Sequence, residues 1–157
     1  VYFKRAIYFS TLKYNILIIN QQYYKCQYFS HKNSHISLIM RILIQRASEA
    51  SVTINSVVKS KIGSGLLILL GIEPSDTPED ADWLCKKVAA LRIFDDEAGV
   101  MNKSVIDVGG EVLVVSQFTL AASTKKGNRP SFIESGSPDK AEALYEYEYK
   151  YFYITGD

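Results

Sequence analysis

From residue 41 onward, short apolar runs alternate with polar punctuation, and the spacing of the apolar positions predicts the elements. Arg41-Ile42-Leu43-Ile44-Gln45-Arg46 is β-branched and half alternating, the pattern of a strand. Ser51-Val52-Thr53-Ile54 and Val57-Val58-Lys59-Ser60-Lys61-Ile62 flank Asn55-Ser56, residues that tolerate turn backbone, so a hairpin is expected there. After Gly63-Ser64-Gly65, the run Leu66 to Leu70 is continuously apolar and of strand length, which suits a strand buried on both faces. Thr77 then stands where a helix N-cap belongs, with Pro78 at the first helical position and Glu79, Asp80 and Asp82 where the helix dipole favours negative charge. Ala81, Leu84, Val88 and Leu91 recur at helical spacing, with Trp83 beside them, so the helix is expected to pack on the sheet.

Ile93-Phe94 runs into Asp95-Asp96-Glu97-Ala98-Gly99, which reads as a solvated turn; a calcium loop would need alternating oxygen ligands and a distal Glu. Asn102-Lys103-Ser104 reads as a connector, and Asp107-Val108-Gly109-Gly110 as a tight turn into a strand from Glu111 to Phe118. After Pro138, Ala141, Ala143, Leu144 and Tyr145 begin a second helical pattern. From Tyr147 to Tyr153 aromatic and charged residues alternate instead, and the helical period is lost. Strands interleaved with helices, plus the early hairpin, predict an α/β domain with a mixed sheet.

Composition divides the chain. All 11 tyrosines fall in Tyr2 to Tyr28 or Tyr145 to Tyr153, no glycine precedes Gly63, and no acidic residue precedes Glu49. Lys4, Arg5, Lys13, Lys25 and Lys32 give residues 1–39 a charge of +5, which leaves 13 basic against 17 acidic residues, a net −4, for 40–157. Attraction to nucleic acid must therefore come from a local patch of the body. The apolar run Ile16 to Ile19 is far too short for a signal-peptide core or a membrane span. A targeting segment is one reading of 1–39. Translated upstream sequence is the other and the preferred one: Tyr, Ile, Asn, Lys and Phe share AT-rich codons, and Met40 stands directly before a clean strand. The expected organisation is an extension at 1–39 outside the domain, a domain at 40–146, and a divergent Tyr-rich tail at 147–157.

Cys26 and Cys85 have no CxxC or metal-type spacing, which fits a reduced, cytoplasmic context. Both histidines, His31 and His35, lie in the extension. Residues 40–157 therefore cannot build a Ser-His-Asp or Cys-His apparatus or a His-ligated zinc site.

Candidate chemistry gathers where the last apolar run ends. Ser116 and Thr119 offer hydroxyls, Gln117 an amide that can donate to a carbonyl oxygen, and Phe118 a wall; strand alternation would put Gln117 and Thr119 on one face, Ser116 and Phe118 on the other. With no histidine to activate it, Thr119 reads as a group that positions substrate or water. The plainer alternative is that Ser116 and Thr119 merely satisfy backbone groups at a strand end. Lys125-Lys126-Gly127-Asn128-Arg129 suits phosphate contacts or a simple solvated turn, and Phe132 suits stacking on a base or core packing. Arg46 on these grounds is an ordinary surface charge.

The pairing of SQFTL with KKGNRPSF resembles the signature of D-aminoacyl-tRNA deacylases, which hydrolyse the ester joining a D-amino acid to the terminal adenosine of transfer RNA. The likeness runs from Met40 to about Tyr145 through RILIQRAS, SGLLILLGI, DTPEDADWL, LRIFDD, GVMNKS, GGEVLVVSQFTL and TKKGNRPSF. It implies a three-layer α/β fold with its C-terminal part missing, no metal and no cofactor, a cytoplasmic location, and a homodimer acting on the 3′-terminal adenosine of aminoacyl-tRNA. Ser116, Gln117, Phe118 and Thr119 would form the catalytic pocket, and Gln45, Arg46, Lys125, Lys126 and Arg129 would bind substrate. In the family, the Gln-Arg pair helps hold a Gly-Pro element that each subunit inserts into its partner's pocket to exclude L-amino acids. This chain has no Gly-Pro dipeptide: Pro74, Pro78, Pro130 and Pro138 follow Glu, Thr, Arg and Ser. A non-catalytic or editing-type tRNA-binding module, like the domain appended to some archaeal threonyl-tRNA synthetases, and an inactive truncated product are the alternatives. The length from Met40 argues against an appendage.

Overall fold

The computed structural model describes residues 3–6, 27–29, 40–123, 127–132, 137, 139, 143 and 144. In chain order its elements are β1 (Phe3–Ala6), β2 (Gln27–Phe29), β3 (Arg41–Ala47), β4 (Ala50–Ile54), β5 (Val57–Ile62), β6 (Gly65–Gly71), α1 (Pro78–Ala89), β7 (Phe94–Asp95), β8 (Met101–Lys103), β9 (Glu111–Ser116) and a 3-10 turn (Phe118–Ala121).

The continuous run Leu66 to Leu70 sits where its pattern requires, in the middle strand of a sheet ordered β1-β9-β6-β3-β2 among the described residues. β6 runs antiparallel to β3, with Arg41 opposite Gly71 and Ala47 opposite Gly65, and parallel to β9, with Leu70 opposite Ser116. The sheet is mixed, as the element order predicts. One face, carrying Ile42, Ile44, Leu66, Ile68, Leu70 and Val112, packs on Ala81, Leu84, Cys85 and Val88 of α1. Ala47, Leu67, Leu113 and Val115 of the other face pack on Ala50, Val52, Ile54 and Ile62 of the β4–β5 hairpin. Each of these fully buried Leu, Ile or Val side chains contributes roughly 1.5–3 kcal/mol. Three layers result: hairpin, sheet and helix.

The local signals act as expected in several places. Asn55 and Ser56 turn the β4–β5 hairpin with φ of 48° and 64°, the left-handed values a tight hairpin turn needs. Thr77 and Asp80 form a reciprocal capping box, with Thr77 N–H donating to Asp80 Oδ2 at 3.0 Å and Asp80 N–H to Thr77 Oγ1 at 3.4 Å. The helix ends at Ala89, so Leu91 joins the core from beyond it, and Trp83 is 37% exposed on its flank. Asp139, Ala143 and Leu144 are helical, and Leu144 is buried in the core.

Elsewhere the chain departs from the pattern. Asn102 and Lys103, read as part of a connector at Asn102-Lys103-Ser104, belong to the strand Met101–Lys103, paired with Phe94–Asp95. The Asp96 carboxylate organises the intervening turn, accepting from the N–H groups of Ala98 at 2.9 Å and Val100 at 3.0 Å and from Asn102 Nδ2 at 2.6 Å. Two pieces of the segment expected to stand apart from the domain take part in its sheet. β1 lies parallel to β9, Phe3 opposite Val112 through Ala6 opposite Val115, and β2 lies antiparallel to β3. Both satisfy ladder groups that β9 and β3 would otherwise leave open at an edge. The rest of 1–39 and the tail 147–157 lie outside the described residues.

Candidate active site

The strand expected to reach Phe118 stops at Ser116, because β6, its ladder partner, stops at Gly71. Gln117 N–H makes the final rung to Leu70 O at 2.6 Å, and its backbone then leaves the strand with φ −140° and ψ 81°. A 3-10 turn follows, closed by Leu120 N–H to Gln117 O at 3.2 Å and Ala122 N–H to Thr119 O at 3.1 Å. Leu120 lies over Gly71 so closely that a Cβ there would come 2.9 Å from Leu120 Cβ.

This turn replaces the strand alternation that would have sorted the four side chains onto two faces. Gln117 and Thr119 nevertheless meet: Gln117 Nε2 donates to Thr119 Oγ1 in a very close contact. Ser116 is buried, whereas Gln117, Phe118 and Thr119 are half-buried. The geometry of a helical start leaves the amides of Phe118 and Thr119 without a carbonyl partner inside the turn.

The basic loop is tied to the same place. Ser123 and Ser131 exchange two backbone hydrogen bonds of 2.9 Å each, closing the loop between them. Phe132, just past this clasp, meets Phe118 edge to face with ring centroids 5.4 Å apart. Packing with Phe118 thus accounts for part of Phe132, which stays 37% exposed. Arg129 is exposed on the loop; Lys125 and Lys126 lie outside the described residues.

Gln45 and Arg46 are placed elsewhere. In the antiparallel register Arg41 marks the Gln117 end of β3, while Arg46, opposite Leu66, lies five residues away, about 17 Å along a strand. Arg46 Nη1 donates to Ile93 O at 2.8 Å and contacts Asp95 Oδ1 at 3.1 Å, and its guanidinium lies 5.9 Å from the Phe94 ring centre. It lines a cleft of about 310 Å³ with Ala47, Ser48, Ser64, Phe94, Asp95 and Val108. Within one chain, then, Arg46 and Thr119 occupy opposite ends of the sheet. Gln45 is half-buried beside Arg46.

Arg41, which no motif singles out, is the residue at the Thr119 end. Its Nη1 donates to Leu120 O at 2.9 Å, and its Nε stands 2.7 Å from Glu73 Oε1. The N–H is not aimed at that oxygen, so the contact is a close ion pair more than a directed hydrogen bond. The usable signal lay in the register: Arg41 faces Gly71, two residues before Glu73. Asp76, also buried, accepts from the N–H groups of Met40 at 2.7 Å and Glu73 at 2.5 Å.

Around the β7–β8 hairpin four charged groups are shifted from their ordinary values. Asp96 is held below the ordinary carboxylate value chiefly by the Asn102 side chain, and Asp107 by the Ser104 N–H. Glu97 and Lys103 stabilise each other's charged forms. Among the described residues, no three His, Cys, Asp or Glu side chains group as a metal site, and no helix is long and apolar enough to cross a membrane.

What the turn can do chemically is orient and donate. Comparison with known proteins points the same way. A family model described as D-Tyr-tRNA(Tyr) deacylase matches residues 43–153. A D-aminoacyl-tRNA deacylase from Bacteroides thetaiotaomicron is 65% identical over 107 residues, covering 68% of this chain and 71% of that protein. Among solved structures, one titled c-Myc DNA Unwinding Element Binding Protein aligns with a TM-score of 0.69 and 38% identity, covering 73% of this chain and 76% of that one. A probable eukaryotic D-amino acid tRNA deacylase shares the fold at a TM-score of 0.62 and 19% identity, covering 73% and 67%. The motifs around Gln117 and Thr119, the three-layer α/β fold and the match over 43–153 converge, and the chain belongs to the D-Tyr-tRNA(Tyr) deacylase family, hydrolases acting on aminoacyl-tRNA esters.

Proposed function

We propose that this chain hydrolyses the ester bond of D-aminoacyl-tRNA, releasing the free D-amino acid and tRNA. The observation that carries this reading is the Gln117–Thr119 contact on the turn after β9, in a chain of this family. Because Thr119 Oγ1 accepts from Gln117, its own proton remains available to donate to a substrate carbonyl or a water. The amides of Phe118 and Thr119 are donors for the oxyanion that forms as the ester is attacked. Residues 40–157 contain no histidine to act as base. The ribose hydroxyl beside the ester supplies assistance instead, and the protein's task is to hold geometry. Phe118 walls the pocket beside the buried Ser116.

Arg129, with Lys125 and Lys126, contacts tRNA phosphates near the terminal adenosine; Arg129 is exposed, and this basic cluster stands on a body that is otherwise mildly acidic. The chain acts in the cytoplasm as a homodimer. In a single chain the Gln45–Arg46 end of β3 lies away from the Thr119 turn, so joining the two in one site would take a second copy facing the opposite way.

Release of labelled D-tyrosine from D-tyrosyl-tRNA by the purified chain tests the reading. Release faster than in buffer supports it, and none refutes it. The relative named for binding a DNA element favours a second reading, nucleic-acid binding without hydrolysis. Retention of tRNA with an intact ester would support that one.

A further inference from the structure

We propose that Arg41 is a positioning residue for this reaction, holding the 3-10 turn that carries Gln117 and Thr119; the inference rests on the function proposed above. Arg41 acts through the turn, its Nη1 donating to the Leu120 carbonyl at 2.9 Å. That carbonyl belongs to the residue directly after Thr119, and the link spans 79 positions of sequence. Among the described residues the backbone bonds inside the turn are short 3-10 ones, and this type of bond has poorer geometry than an α-helical one. Arg41 ties the turn from outside to the start of β3.

The arginine is itself held. Glu73 flanks it from the β6 side at 2.7 Å, with the two side chains only 11% and 6% exposed. Glu73 N–H in turn donates to Asp76 at 2.5 Å, and Asp76 accepts from Met40 N–H at 2.7 Å, one residue before Arg41. A closed circuit runs from Met40 through Asp76 and Glu73 to Arg41, and delivers a guanidinium to Leu120. An arginine suits this place, because its planar fork can meet a carboxylate and a carbonyl together, which a lysine point charge cannot do with the same geometry. Gly71 gives the turn its floor, so Leu120 is fixed from below by close approach and at its carbonyl by Arg41. Displacements of about 1 Å in a catalytic group can cost on the order of a hundredfold in rate, so a clamp one residue from Thr119 acts on rate as well as on folding.

The test compares the full chain with Arg41→Lys and with Arg41→Met/Glu73→Met, which removes both buried charges together so that neither is stranded. Three quantities are read: kcat and KM for D-tyrosyl-tRNA, the thermal midpoint, and hydrogen exchange at the Leu120 and Ala122 amides. In the double variant kcat is expected to fall about 10- to 100-fold while KM changes less than about 3-fold, the split of an effect exerted in the transition state. Exchange at Leu120 and Ala122 speeds up by at least about tenfold, as for a segment that opens more readily. Arg41→Lys, which keeps the charge beside Glu73, restores folding if the double variant is unstable but recovers kcat only in part. Wild-type kcat and exchange in either folded variant overturn the proposal. If the unmodified chain releases no D-tyrosine, the proposed function fails by itself; the exchange comparison then still decides whether Arg41 positions the turn, and unchanged exchange overturns it.

Discussion

Gln117 Nε2 donates to the Thr119 hydroxyl within the 3-10 turn at the end of β9, so the two polar side chains of the motif act as one unit. The hydroxyl keeps its own proton to donate, and residues 40–157 hold no histidine to strip it. Thr119→Val keeps the shape and removes the hydroxyl. Deacylation of D-tyrosyl-tRNA should fall about 10- to 100-fold and not vanish, since backbone donors and the substrate's own ribose remain. Rapid quench of the wild-type reaction should trap no acyl-enzyme. A covalent adduct at Thr119, or a loss approaching a millionfold, would make it a nucleophile instead.

Gly71 is required by contact, with Leu120 Cβ 2.9 Å from where a Cβ would stand and Gln117 O at 3.2 Å. Gly71→Ala pushes the turn away from β6. Activity should drop by at least about tenfold, while the urea midpoint moves by the equivalent of only about 1–3 kcal/mol, the usual cost of overpacking. Equal activity in the folded variant would mean that the turn's seat is not critical.

Asp76 holds the start of β3 to the 73–76 turn through two backbone N–H groups, and its removal leaves both donors buried. Asp76→Ala should cost about 2–4 kcal/mol in urea unfolding. A loss under about 0.5 kcal/mol, the range of an ordinary surface change, would contradict that role.

The β7–β8 hairpin should respond to acid in a definite direction. Asp96 and Asp107 have folded values below the ordinary carboxylate value, so their contribution is present above that value, about 3.9, and is lost as pH falls through the folded one. Lys103 is raised, so its contribution is complete below about 10.4 and is lost only as pH rises through its folded value. Asp107 is exposed and Asp96 and Lys103 are only half-buried, so salt should weaken the effect. Exchange at the Ala98 and Val100 amides, followed from about pH 6 to pH 2, should stay protected to below about pH 4 and then accelerate, with Asp96→Asn abolishing the transition. Acceleration near neutral pH would show that another group governs the turn.

Much of this was readable from local chemistry. Asn55-Ser56, Thr77-Pro78 and Leu66 to Leu70 each act within a few residues, so their spacing suffices to place hairpin, cap and central strand. The end of β9 was not readable, because where a strand stops depends on where its partner β6 stops, and Gly71 lies 46 positions before Gln117. The same reason hid Arg41: its partners Glu73 and Leu120 are distant in sequence and are joined only by register. The strands β1 and β2 were missed since their pattern shows little of the alternation that a half-buried strand carries, and edge pairing uses backbone groups every residue possesses. Gln45 and Arg46 were found as a motif, but motif membership does not say which end of a sheet a residue occupies.

The most direct test is the rate at which labelled D-tyrosine leaves D-tyrosyl-tRNA with the chain in excess, measured beside the L-ester and a buffer control. The account predicts release of D-tyrosine at least about a hundredfold above the spontaneous rate, modest against the millionfold or greater accelerations common in enzymes. Release of D-tyrosine at the buffer rate, whether or not the tRNA is bound, would contradict it.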